Sequence, residues 1–323
     1  MLRPMSTTLQ VFLFLFLLGT LLRFFGILTR IHATRLASVV FSVSLPATIL
    51  VSLDRVIFAP TAWKLPLAAC LISLPLLCCS WLLARLLHLP RPTQGGFLLA
   101  TGSINSVYFG YPVALAMFGQ EGLARAILFD LGQTTLTLTV LYPLALWHGN
   151  VSSSARSSLP RMLSAPPIWA LALILTVKAG GLQLPSWLHD GLTPVHLTTM
   201  PLASFVLGLS ISLDSVRRTW VLSCLGVTMR MLGGVLLGWG VAVLLDLSGL
   251  DRAMVILFSG MPSAVMAAIY ATETSLDEDL VASIIALSIC VGIVLLPWLP
   301  PLASLLMSYT SDSTPLASYT TVD

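Results

Sequence analysis

The chain has 323 residues, of which 57% are hydrophobic and only 9% charged, and its formal net charge is +3. Its mean hydropathy is +0.95. Soluble domains carry about 25% charged residues, so a water-soluble fold of this size would not hide so much apolar surface. The composition therefore predicts a protein whose solvent is the lipid bilayer. The small net charge says nothing about nucleic acid, but no basic cluster with interleaved aromatic residues occurs, so we expect no nucleic-acid partner.

Ten apolar segments follow one another along the chain, each close to the roughly 20 residues that cross a bilayer as a helix. Backbone in lipid must satisfy its own hydrogen bonds, so each segment is predicted to be helical. No cleavage site follows the first segment, so we expect a retained span rather than a signal peptide. The predicted spans are 8–28, 34–53, 63–87, 95–118, 122–146, 163–181, 193–213, 219–245, 252–271 and 279–300.

Short motifs recur in the two halves of the chain. The run GYPVA at 110–114 matches GMPSA at 260–264, and SLD at 52–54 matches SLD at 212–214. Five spans in each copy force the second copy to enter the membrane upside down, as in many secondary transporters. The predicted fold class is an all-α membrane protein. We expect ten transmembrane helices in two inverted five-helix repeats, with helices 4 and 9 broken and crossed.

The repeats set the predicted domain boundaries. The first repeat spans 1–147, a connecting loop spans 148–161, the second inverted repeat spans 162–302, and a polar tail spans 303–323. Positively charged residues favour the cytoplasmic side of a membrane. With both termini outside, nine arginines lie on the inner side and six arginines and lysines on the outer side. We therefore expect a multi-pass protein of the cell (inner) membrane with both termini outside.

Two of the predicted spans are interrupted by glycine and proline. Gly110 and Pro112 interrupt span 4, and Gly260 and Pro262 interrupt span 9. These four residues and the neighbouring Ser263 are predicted to bind substrate. A proline inside a helix removes a backbone hydrogen bond at a cost of about 3 kcal/mol or more. Interrupted spans in corresponding positions of two halves indicate a substrate site at the midplane, where broken helices expose N–H and C=O groups. A plain proline kink, satisfied by neighbouring helices, is the alternative for each segment.

Four polar residues inside the predicted spans are candidates for chemistry. Asn105 either contacts substrate or forms an interhelical hydrogen bond worth about 0.6–2 kcal/mol. Asp130 is a functional candidate because acids inside the membrane are costly, and Gln133 shares its helix face. Both are predicted to carry coupling, unless Asp130 lies shallow and pairs with Arg125. Arg230, about eleven residues into span 8, is predicted to hold an anionic substrate or to pair with Asp130.

The run from 98 to 132 resembles the auxin efflux carrier family, whose signature has an Asn, a Gly-x-Pro, a Phe-Gly-x-Glu-Gly turn and a Phe-Asp-Leu. The first two spans and the run SGMPSAVMAAIYA in span 9 are also similar to that family, so the likeness covers nearly the whole chain. Many members carry an Asn where this chain has Met266, so the second crossing helix lacks that polar contact. The signature positions here are Asn105, Gly110, Pro112, Phe118, Gly119, Glu121, Gly122, Phe129 and Asp130.

The resemblance implies a scaffold of spans 1, 2, 6 and 7 and a moving bundle of spans 3–5 and 8–10. It also implies transport of a small organic anion such as malonate, malate or an auxin-like acid by a compact, bacterial-type member. We expect a secondary transporter that works by alternating access, contacts the lipid bilayer and needs no cofactor. Coupling to protons or sodium and assembly into a homodimer stay open at this point.

Other function classes find less support in the sequence. A serine protease inside the membrane would need a deep histidine beside the GLS run at 208–210, and none is predicted there. An aspartyl protease would need a second acid beside Asp130. The sequence contains no P-loop pattern, so it gives no support to an ATP-driven pump. The five cysteines and five histidines lack metal-ligand spacing. We therefore expect no enzyme and no metal site. A membrane sensor that keeps a transporter fold is the remaining alternative.

Overall fold

The structure, a computed structural model, describes residues 7–54, 56, 60–149, 165–211 and 216–299. Within these residues every secondary-structure element is helical, as predicted for backbone in lipid. The predicted connecting loop falls outside the described residues from 150 onward, and the predicted tail 303–323 lies outside them entirely. Among the described residues, six helices are long and apolar enough to cross a membrane: Thr7–Phe24, Ile31–Asp54, Lys64–Leu86, Ser186–Ser210, Arg218–Leu244 and Glu278–Trp298.

The first half of the chain contains helices α1 to α7. Turns of π-helix at Val40–Ser44 and Thr137–Leu141 make α2–α3 and α6–α7 continuous. Helix α6 bends at Gly119, whose φ of 63° and ψ of −156° suit glycine because it has no Cβ. The bend separates the second part of span 4 from span 5. The helices are α1 (Thr7–Phe24), α2 (Arg30–Val39), α3 (Leu45–Asp54), α4 (Lys64–Leu86), α5 (Arg91–Gly102), α6 (Tyr111–Leu136) and α7 (Tyr142–His148).

The second half contains helices α8 to α14, and a π-helical turn at Thr228–Gly233 joins α10 to α11. Helix α9 begins at Ser186, well before the predicted start at residue 193, and accommodates Pro194 and Pro201 in its interior. That predicted boundary is wrong, because the polar residues near 189 belong to the helix. The helices are α8 (Pro166–Ala179), α9 (Ser186–Ser210), α10 (Val216–Val227), α11 (Gly234–Leu244), α12 (Gly249–Ser259), α13 (Met266–Glu273) and α14 (Glu278–Leu295).

Three π-helical turns end two residues before a proline, namely Pro46, Pro112 and Pro143. In each case the residue before the proline donates its N–H to the carbonyl five residues back. Proline lacks an N–H, and its ring clashes with the carbonyl four residues earlier, so a widened turn lets the helix continue. The predicted break of span 4 at Gly110–Pro112 is therefore wrong. The chain leaves the helix earlier, between Gly102 and Ser106.

The helices pack as two groups. In the small group, α1 packs along α9, and α3 packs against both α8 and α9. In the large group, α4 packs against α6 and α11, and α14 packs against α5 and α10. These groups correspond to predicted spans 1, 2, 6 and 7 and to predicted spans 3–5 and 8–10. The two groups meet where α6, together with the π-helical turn before it, contacts α1, α3 and α9.

Candidate functional site

The breaks in spans 4 and 9 meet each other. The backbone N–H of Asn105 donates to the carbonyl oxygen of Pro262 at 2.9 Å, and Ile104 and Ser263 form an isolated antiparallel bridge. Helices α5 and α12 end at this meeting point, and α6 and α13 lead away from it. Each broken span therefore presents one helix end and one helix start at the same place.

All four carbonyls of the last turn of α5 are hydrogen-bonded to side chains. A helix end leaves four carbonyls without intrahelical partners, and burying an unpaired one costs about 1–3 kcal/mol. Ser263, Arg230 and Gln133, which were predicted to contact substrate or carry coupling, thus complete this helix end. The donors are Ser103 Oγ to Leu99 (2.7 Å), Ser263 Oγ to Ala100 (2.6 Å), Arg230 Nη1 to Thr101 (3.2 Å) and Gln133 Nε2 to Gly102 (2.9 Å).

The end of α12 is completed in a similar way. Its final carbonyl, that of Ser259, accepts a hydrogen bond from Arg230 Nη2. Arg230 therefore joins the ends of α5 and α12, and its side chain is fully buried. Among the described residues no ion pair joins Arg230 to Asp130, so the alternative in which these two residues pair is not the arrangement found. The earlier carbonyls accept from Ser259 Oγ (Ile256, 2.7 Å), Gly260 N (Leu257, 3.2 Å) and Met261 N (Phe258, 3.1 Å).

A cavity of about 300 Å³ lies beside the crossing, between the two helix groups. Ligand pockets commonly have volumes of about 300 Å³ or more. The two helix starts that follow the breaks, at 105–107 and 264–267, both line it. Most of its wall is apolar, and the apolar residues come from both helix groups. They include Phe41, Leu45, Ile49, Ile127, Leu131, Leu138, Ile168 and Leu171.

The polar end of the cavity contains unpaired groups. The side chain of Asn105 is buried, yet neither its amide oxygen nor its amide nitrogen has a hydrogen-bond partner among the residues that the structure describes. The Ser106 hydroxyl beside it is likewise buried, and it lies near the Asp130 carboxylate. Because buried side-chain polar atoms are nearly always hydrogen-bonded, the unpaired amide of Asn105 is available to a water molecule or a ligand in the cavity. Asn105 is therefore the predicted site residue that faces the cavity with its hydrogen-bonding capacity free.

The same wall carries one acid and two helix starts. Asp130 lines the cavity and accepts a hydrogen bond from Tyr111 Oη at 3.0 Å. Gln133 also lines the cavity, but Ser73 and Gly102 occupy its side-chain oxygen and nitrogen. In this described part of the chain, neither Asn105 nor Val265 caps the helix start that follows it with its side chain. At the start of α13, the N–H groups of Ala267 and Ala268 donate to the carbonyls of Ala264 and Val265 at 3.1 Å. Helix starts carry partial positive charge and attract anions.

The glycines and prolines of the predicted site shape the crossing and do not line the cavity. A Cβ at Gly110 would lie 2.8 Å from the Phe258 ring, so Gly110 allows close packing of the two broken spans. Pro112 is buried in the first turn of α6. Pro262 supplies the carbonyl that Asn105 contacts. Gly260 follows the end of α12, where a Cβ would press on Val235.

Sequence reasoning missed three residues. Ser106 and Tyr111 line the cavity, and their only signal was proximity to Asn105 and to the Gly-x-Pro run. His196 is buried well inside α9, ten residues after Ser186, so the expectation of no deep histidine is wrong. No group of three or more histidine, cysteine or acidic side chains within the described ranges is arranged to hold a metal ion.

Comparisons with known proteins show the family to which the chain belongs. The family model described as "Membrane transport protein" matches residues 4–300. An uncharacterized transporter of Methanothermobacter thermautotrophicus is 33% identical over 302 residues, which covers 90% of this chain and 96% of that protein. An uncharacterized transporter of Methanocaldococcus jannaschii is 30% identical over 287 residues, with coverage of 87% and 92%. The chain therefore belongs to the membrane transport protein family, the auxin efflux carrier family that its sequence motifs resemble, and is a multi-pass membrane protein.

Proposed function

We propose that this protein is a secondary transporter that carries a small organic anion across the membrane by alternating access. The observation that carries the proposal is the wall where the unpaired Asn105 amide and two uncapped helix starts face one cavity. In transporters with broken helices, the positive starts of half-helices point at the anionic group of the substrate. A carboxylate bound here would accept hydrogen bonds from the Asn105 amide and from backbone N–H groups.

The cavity lining favours a monocarboxylic acid with an apolar body over malonate or malate. The described lining includes Asp130 but no lysine, arginine or histidine. A dicarboxylate would bring two negative charges next to that acid without a cation to balance them. An auxin-like acid needs only one anion site, and the remaining apolar wall fits its ring or chain. Arg230, predicted to hold the anion, is instead bonded to two backbone carbonyls.

Two observations support inverted repeats and alternating access. Ile104 pairs with Ser263, a separation of 159 positions, close to the 160 that separates the two SLD motifs. Equivalent residues meet in an antiparallel pair when two inverted copies cross at a two-fold axis. The two Gly-x-Pro motifs are separated by 150 positions, so they do not occupy equivalent positions in the two breaks. The cavity also lies between the two helix groups, where movement of one group against the other would change its access.

The remaining parts of the proposal concern the surroundings. We place the protein in the cell (inner) membrane with both termini outside, from the charge distribution of its loops. Lipid is its solvent, and a homodimer is the assembly to test. For coupling we favour the proton, because Asp130 is an acid in the cavity wall.

The test is uptake of a panel of labelled carboxylates into proteoliposomes that contain the purified protein, with pH and sodium gradients imposed separately. We expect saturable uptake of apolar monocarboxylates, with weaker uptake of malonate and malate. The pH gradient should change the rate, and the sodium gradient should not. Empty liposomes and liposomes with Asn105→Ala protein are the matched controls.

The same experiment separates transport from sensing. A membrane sensor with a transporter fold would bind a carboxylate and show no uptake above empty liposomes. Binding measured by protection against thermal unfolding, together with absent uptake, would therefore contradict the transporter proposal. Equal uptake by wild-type and Asn105→Ala protein would contradict the proposed anion site.

A further inference from the structure

Arg230 lies where the ends of α5 and α12 meet. It is the largest fully buried side chain in the described part of the chain. Its Nη1 donates to the Thr101 carbonyl at 3.2 Å, and its Nη2 donates to the Ser259 carbonyl. Within the described ranges no carboxylate forms an ion pair with it. The partners of this buried cation are thus backbone carbonyls at two helix ends.

The charges at this meeting point balance. The C-terminal end of a helix carries roughly half an elementary negative charge. Two helix ends that meet therefore carry about one negative charge together. A guanidinium supplies one permanent positive charge in a planar group, which lets two of its nitrogens reach separate acceptors. Many transporters with broken helices place a bound sodium ion or proton against such helix ends.

We propose that Arg230 is a built-in cation that occupies, with its guanidinium, the position that a coupling metal ion would take at the crossing. The ends of α5 and α12 are then held together without Na⁺. The transporter proposed above would then need no Na⁺ at the crossing. This consequence for transport rests on that proposed function. Arg230 is a positioning residue, since it acts on the two helix ends and does not line the cavity.

The local backbone is built around this contact. Arg230 lies in the π-helical turn Thr228–Gly233, which, unlike the other three described, is not followed by a proline. Gly234 comes directly after this turn. A methyl group there would collide with the Ser259 carbonyl oxygen and lie 2.8 Å from Arg230 Nη2. The widened turn and the glycine together let the helix approach the end of α12 closely enough for the hydrogen bond.

The test is thermal unfolding of purified protein in NaCl, KCl and choline chloride at equal ionic strength. Wild-type protein should unfold at one temperature in all three salts. Arg230→Gln should lower that temperature by on the order of 10 °C, because removing one partner of a buried charge contact is strongly destabilising. The control Arg85→Gln removes an exposed guanidinium that stacks on Trp81, and its shift should be small.

A second pair of variants keeps the test decisive if Arg230→Gln does not fold. Gly234→Ala retains the guanidinium but crowds its contact, whereas Gly240→Ala, on the same helix, meets nothing within 4 Å. We expect Gly234→Ala alone to unfold earlier. A saturable, sodium-specific rise in the wild-type unfolding temperature would overturn the proposal. So would equal effects of Arg230→Gln and Arg85→Gln, or of the two alanine variants. Unfolding needs no substrate, so failure of uptake would count against the proposed function and leave this result unaffected.

Discussion

Gln120 Nε2 lies 3.3 Å from His196 Nε2, and this contact links the large helix group to the small one. Gln120 follows the bend at Gly119, and its amide oxygen accepts a hydrogen bond from Ser52 Oγ at 3.4 Å. On its other side, the His196 ring contacts Thr48 Oγ1 through Nδ1 at 3.2 Å. A chain of polar contacts therefore runs from the bend within α6 into the interface between α3 and α9.

The first prediction follows from this contact. Gln120→Ala and His196→Ala should each destabilise the protein, and the double variant should lose less than the sum of the two. The coupling should be about 0.6 kcal/mol, the average for side-chain hydrogen bonds inside membranes. Equilibrium unfolding in detergent of the four proteins of this cycle measures it. Strictly additive losses would show that the two side chains do not stabilise one another.

The second prediction separates substrate contact from structural support. The Asn105 side chain makes no hydrogen bond to any part of the chain that the structure describes, so Asn105→Ala should leave the unfolding temperature nearly unchanged. Loss of a hydrogen bond to a charged ligand, worth about 1.5–3 kcal/mol, should weaken apparent substrate affinity about 10- to 100-fold. Ser263→Ala is the comparison variant, because it removes the donor to the Ala100 carbonyl and should lower stability. Early unfolding of Asn105→Ala would contradict the assignment.

The third prediction concerns coupling at Asp130. Asp130→Asn should fold, insert and transport, but its rate should no longer depend on pH, because the amide cannot exchange a proton. Tyr111→Phe removes the hydrogen bond to Asp130 and leaves the acid in place, so its pH profile should shift and not vanish. Proteoliposome uptake measured over a range of internal and external pH values is the readout. An unchanged profile for Asp130→Asn would rule out this residue as the proton carrier.

The fourth prediction tests the bend between spans 4 and 5. Gly119 has a φ of 63°, and its Cβ position is open. With a ψ of −156° this backbone lies in a region that is essentially confined to glycine, so Gly119→Ala should destabilise the protein by backbone strain alone, by about 1–3 kcal/mol. Gly191→Ala is the matched control, because its Cβ position is also open but it lies inside α9 with helical geometry. Alanine there should be neutral or stabilising. Equal unfolding temperatures for the two variants would contradict this account.

The sequence by itself determined the solvent, the helical class and the family. The apolar composition indicated that the chain lies in lipid. Backbone groups in lipid must form hydrogen bonds within the protein, so helices could be predicted without tertiary information. The Gly-x-Pro runs also revealed that spans 4 and 9 are unusual. They placed the second break correctly at Gly260–Pro262 but the first too late, because a π-helical turn lets the helix continue through Pro112.

Only the tertiary structure decided which polar residues face the cavity and which hold the crossing. Helical periodicity orders side chains around one helix, but it does not tell which residues of another helix lie opposite. Arg230 meets carbonyls 129 and 29 positions away in the chain. Those carbonyls exist as acceptors only because two helices end side by side. The Asn105 side chain, by contrast, finds no partner among the described residues and faces the cavity. Which polar residues face the cavity and which bond to the helix ends depends on which hydrogen-bond partners lie within reach at the crossing. That is set by three-dimensional placement and not by residue type.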